Sequence, residues 1–128
     1  MGEEEAWLQH AEYDLEVART ALAAGLFAQC LISCQQAVEK ALKAAYIQKY
    51  GQAAPRIHDL IRLARDTDLE HRLQPPLPGL TLWYLEARYP DLADVPAFQR
   101  VPREAAQEAL AATETFVAAV RSEFGAKE

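Results

Sequence analysis

Gln36, Glu39, Lys40 and Lys43 recur at steps of three, one and three. On a helix that spacing places them on one polar face. An amide, a carboxylate and two ammonium groups in one row can hold a polar or anionic ligand, or they can simply be solvated. Downstream, Arg56, His58 and Asp59 open what reads as a third helix. The free backbone N–H groups and dipole of a helix start attract anions, and Lys40 or Lys43 could lie near. Equally, Asp59 can cap that helix while His58 packs against the helix before it. Arg88, Tyr89 and Asp91 form a third cluster around Pro90. There Arg88 could take a phosphate and Tyr89 a base, or the group could lock one end of a helical bundle. The candidate binding set, for an anionic ligand such as a nucleotide, is Gln36, Lys40, Lys43, Arg56, His58, Asp59, Arg88, Tyr89 and Asp91.

Charge narrows the ligand class. The net charge is −6, but residues 1–35 carry −5, residues 36–65 carry +4 and residues 66–128 carry −5. Duplex nucleic acid asks for a broad basic surface, which this balance disfavours. A small anion such as a nucleotide phosphate needs only a local patch. No P-loop, dinucleotide fingerprint or HExxH motif occurs, and no cofactor or metal is called for. Cys30 and Cys34, four apart on an apolar face, read as packed thiols.

These groups must be positioned by helices, because apolar residues recur at steps of three and four and nowhere alternate. Trp7, Ala11, Leu15, Ala18 and Leu22 define a first helix over 4–24, with acidic residues at its positive end and Gly25 as its stop. A second spans 27–50, with Leu31, Cys34, Val38, Ala41, Leu42 and Ala45 inward and Gly51 after its end. Pro55 starts a shorter third helix to Arg65, and Asp68 is placed to cap a further turn. The run Gln74-Pro75-Pro76-Leu77-Pro78-Gly79 is a connector. Leu80–Tyr89 is a fourth helix. Pro102 heads a last one to Phe124, with Ala106, Leu110, Thr113, Val117, Val120 and Phe124 inward. The fold class is all-α, an antiparallel up-and-down bundle of four or five helices with a short extra helix, in one domain over 1–128. Such a chain buries roughly two-thirds of its unfolded surface. No apolar run approaches the roughly 20 residues of a membrane span. The acidic start is unlike a signal peptide, and the two cysteines suit a reducing compartment, so the expected setting is the cytoplasm.

The segments QQAVEKALKA (35–44), HDL (58–60) and ARYPD (87–91), in this order and at these separations, resemble the HEPN family. The likeness extends over nearly the whole chain. It implies a four- or five-helix bundle that forms homodimers and is similar to the helical domain of kanamycin-type nucleotidyltransferases. It further implies a nucleotide ligand such as ATP and a separate minimal nucleotidyltransferase as partner, often in a toxin–antitoxin-like pair. Aromatic residues such as Trp83, Tyr84 and Phe98 are candidates for the two-fold interface. Some members are metal-independent ribonucleases with an Arg, four to six residues, then a His. Here Arg65 and His71 match that spacing formally, but across an expected helix break at Thr67-Asp68. The leading expectation is therefore a non-catalytic nucleotide-binding protein. The alternatives are a ribonuclease using Arg65 and His71, or a module serving only interaction.

Overall fold

Helix α1 (Glu3–Ala23) begins with three glutamates in its first turn, where negative charge complements the helix dipole. Leu8, Ala11, Leu15 and Ala18 are buried along one side. The chain reverses at Gly25, whose φ of 78° lies in the left-handed region that favours glycine. The Leu26 N–H then donates to Ala21 O at 2.8 Å and closes the turn. A computed structural model describes residues 2–81 and 97–127 of the chain.

Helix α2 (Phe27–Tyr50) is the central element, buried at Cys30, Leu31, Cys34, Ala37, Val38, Ala41, Leu42 and Ala44. Its many small residues let neighbouring helices approach closely. It ends at Gly51, again left-handed with φ 64°, whose N–H donates to Ile47 O at 2.8 Å.

Helix α3 (Leu60–Asp66) starts later than Pro55, contrary to the sequence expectation. Asp59 is its N-cap, and its carboxylate accepts from the N–H groups of Ile61 (3.0 Å) and Arg62 (3.2 Å). A helix begun at Pro55 would direct the His58 carbonyl to the Arg62 N–H. Instead that carbonyl accepts from the Gln35 side chain at 3.3 Å. The cap and this tertiary bond fix the boundary together. Asp59→Ala is expected to cost about 1 kcal/mol, read as a lower urea midpoint at unchanged m-value.

Asp68 does not cap a further turn. It adopts φ 61° and ends α3 as a left-handed residue, a conformation aspartate tolerates better than most. Short 3-10 turns follow at Glu70–Arg72 and, within the proline-rich connector, at Leu77–Gly79. The expected fourth helix is seen at Leu80 and Thr81. Its remainder lies outside the described residues, with Trp83, Tyr84, Arg88, Tyr89 and Asp91.

A short helix α4 (Ala97–Arg100) leads to α5 (Arg103–Lys127), which Pro102 immediately precedes. The inner stripe of α5 is as the sequence predicts, with Ala106, Leu110, Thr113, Val117, Val120 and Phe124 all buried. Two clamps show its direction. Arg121 meets Glu5 at 2.6 Å and Glu12 at 2.8 Å, while Arg19 meets Glu114 at 3.2 Å. Helix α5 therefore runs antiparallel to α1 in an all-α antiparallel bundle. The hydrogen bonds from Arg121 hold the Glu5 carboxyl below its ordinary range. Among the described residues, no helix is long and apolar enough to cross a membrane.

Candidate functional site

The polar stripe of α2 turns inward. Gln35, Glu39 and Lys43 follow at steps of four, so they stack on one line of the helix, and all three are buried. Glu39 is the hub. Its Oε2 accepts from Lys43 Nζ at 3.0 Å, and its Oε1 accepts from Gln35 Nε2 at 3.2 Å. His58 Nδ1 is 2.9 Å from the same Oε1. An ionised carboxylate can only accept, so the Nδ1 nitrogen carries the proton and the ring's tautomer follows from Glu39. Gln35 also holds the His58 carbonyl, and Thr81 Oγ1 reaches Gln35 Oε1 at 3.4 Å. One row of α2 thus ties down the segment before α3 and the start of the fourth helix.

A second buried charge pair lies beside this row. Lys40 Nζ is 2.7 Å from Asp14 Oδ2 on α1. The Asp14 carboxylate is buried, whereas Lys40 remains partly exposed. The contact is an ion pair by distance, yet that oxygen makes no hydrogen bond of good angle among the described residues. The Lys43 ammonium also lies 5.5 Å from the centroid of the Trp7 ring, within cation–π range. Next to these pairs, Glu3, Ala6, Trp7, His10 and Lys40 line a cleft of about 420 Å³.

The sequence-predicted residues separate on this geometry. Lys40 and Lys43 stand on neighbouring lines of α2, each already facing a carboxylate. Gln36 is half-buried one position beyond the row. His58 and Asp59 are not in the first turn of α3. Of the two readings open for them, the structure shows Asp59 as the cap and His58 against α2. Two first-turn N–H groups of α3, those of Ile61 and Arg62, are taken by the Asp59 carboxylate, and Arg56 is exposed in the preceding segment. Arg88, Tyr89 and Asp91 lie outside the described residues.

Arg65 and His71 are both exposed, with the left-handed Asp68 between them. Arg65 Nε is 3.3 Å from Glu70 Oε2, so its guanidinium is drawn to a neighbouring acid. His71 borders a different groove, shared with Arg72 and with Ala112, Thr115 and Phe116 of α5. Cys30 and Cys34 are buried, free thiols. Hydrogen bonding to Cys30 together with burial pushes the Cys34 thiol far above its ordinary range, which keeps it protonated.

Sequence reasoning singled out Lys40 but not its counter-ion Asp14, nor the hub role of Glu39, nor Gln35. The step-of-four repeat of Gln35, Glu39 and Lys43 was the available signal. By spacing alone Trp7 belongs to the apolar stripe of α1, and nothing in the sequence marks His10.

The sequence profile of the HEPN domain matches residues 4–123. The chain is similar to TT1696 from Thermus thermophilus, a solved structure 30% identical over 95% of this chain and 98% of that one, with a TM-score of 0.81. It is also similar to ST0689, described as an archaeal HEPN homologue, 26% identical over 96% of this chain and 98% of that one, with a TM-score of 0.68. No curated protein matches it.

Proposed function

The chain belongs to the HEPN domain family, and on that premise we propose that it is a non-catalytic, nucleotide-binding member. It acts as a homodimer beside a separate minimal nucleotidyltransferase, in a toxin–antitoxin-like pair. The observation that supports a binding role is the buried polar row of α2. Burying Glu39, Lys43 and Asp14 costs desolvation free energy that a hydrophobic bundle of the same shape would avoid. What the row provides is a rigid polar wall between α1, α2 and the segment before α3, with His58 and Lys40 at its solvent edge. Such a wall suits holding a polar ligand, and no bond-making step is needed to account for it. The ribonuclease reading has weaker support, because Arg65 is paired with Glu70 across a helix break from His71.

Titration calorimetry of the full chain with ATP, ADP and AMP tests the proposal. Saturable binding of at least one of the three nucleotides is expected at millimolar concentration or below. No detectable heat at millimolar nucleotide would sink it. Metal-independent cleavage of single-stranded RNA that is lost in both Arg65→Ala and His71→Ala would replace it with the ribonuclease reading.

A further inference from the structure

We infer that the cleft lined by Glu3, Ala6, Trp7, His10 and Lys40 holds a flat heteroaromatic ring, and that the phosphates of the ligand point away from it. The inference rests on the nucleotide-binding reading for one thing, that the ring is a nucleobase. The volume, about 420 Å³, lies within the range of about 300–1,000 Å³ usual for small-molecule sites and leaves room for a base with its ribose.

The charges decide which part of a nucleotide enters. Lys40 is the cationic lysine of the lining, and Asp14 sits 2.7 Å behind it. Lys43, close by at the Trp7 ring, is likewise matched by Glu39. Glu3 adds a negative charge at the rim. A phosphate would therefore meet little net positive potential, whereas an uncharged ring loses little on leaving water. Trp7 lines the cleft, and its indole is the aromatic group of the lining on which a base can stack. Lys40 and His10 supply polar atoms at the edge, where ring nitrogens and exocyclic groups need partners.

The wall is held in place before any ligand arrives. Lys43 lies against the Trp7 ring, is buried, and is itself held by Glu39 at 3.0 Å. Lys40 is held by Asp14 and is only 25% exposed. An ammonium with one partner keeps further N–H donors for a ring nitrogen or carbonyl. Ordering these side chains is part of folding, so binding does not bear that cost. The site differs from the phosphate site expected at the start of α3, where Asp59 occupies the Ile61 and Arg62 donors.

Calorimetry with adenosine, AMP and ribose 5-phosphate separates the parts of the ligand. Adenosine and AMP should bind with affinities within about threefold of each other, and ribose 5-phosphate at least about tenfold more weakly, the order of effect of one stacked base. Trp7→Ala should weaken adenosine about tenfold, with Trp7→Phe intermediate. Because loss of a half-buried tryptophan can also loosen the bundle, Ala6→Leu is the second variant. Ala6 is exposed on α1 and leucine is a good helix former, so this change fills the cleft while leaving the helix intact. It should abolish adenosine binding at an unchanged melting temperature. If the wild-type chain binds ATP but Ala6→Leu binds it equally well, the cleft is overturned and the nucleotide reading stands. Ribose 5-phosphate binding as tightly as AMP would also overturn the cleft. If the wild-type chain binds neither adenosine nor ATP, both readings fall.

Discussion

Replacing Glu39 with leucine is expected to destabilise the bundle by about 3 kcal/mol or more, the order found when one partner of a buried ion pair is removed. Glu39 accepts from Lys43 at 3.0 Å, from Gln35 at 3.2 Å and from His58 at 2.9 Å. Its removal strands the Lys43 ammonium, whose side chain is only 9% exposed, with no counter-charge among the described residues. An exposed pair at the same spacing would contribute only about 0.3–0.5 kcal/mol, so burial decides the outcome. His58 would also lose its anchor on α2, and the segment between α2 and α3 should open. Urea unfolding followed by circular dichroism measures the loss. Hydrogen exchange should show weaker protection at Ile61 and Arg62 before the rest of the chain. Adding Lys43→Met should restore most of the stability, because the stranded ammonium is then removed as well. A cost below about 1 kcal/mol for the single variant would mean that solvent reaches Glu39 and Lys43 in solution.

The same residues show how far the sequence could be read. The inward faces of α1, α2 and α5 follow from local periodicity, which each helix carries within itself. So does the end of α2, where Gly51 supplies a left-handed residue. The start of α3 offered two valid signals, Pro55 as a first helical residue and Asp59 as a cap. The bond from Gln35 to the His58 carbonyl chose between them, and its partners are 23 residues apart. Charge shows the same dependence on register. Residues 36–65 look strongly basic along the chain, but Lys40 faces Asp14 and Lys49 faces Asp68, both from outside that segment. The patch is therefore less positive than its sequence suggests. Trp7 and Lys40 share a cleft only because α1 and α2 pair in one register, which neither helix encodes alone.

Leu42→Ala is expected to cost about 3 kcal/mol, within the range for emptying a buried leucine site. Leu42 is fully buried on α2, and its removal forfeits both transfer free energy and packing. Arg121→Ala breaks the two-carboxylate clamp between α5 and α1, yet should cost no more than about 1 kcal/mol, because that side chain is 37% exposed. The contrast assigns the stability of the bundle to its apolar core rather than to its exposed ion pairs. It also separates scaffold from site. Leu42 does not line the cleft at Trp7, so Leu42→Ala should lower the melting temperature while costing much less adenosine affinity, measured below the transition, than Ala6→Leu does. Ala6→Leu should do the reverse, removing binding at constant stability. The two variants, measured by thermal unfolding and by calorimetry, therefore form a crossed test. A parallel loss of affinity and stability in both would mean that the cleft exists only as a by-product of core packing.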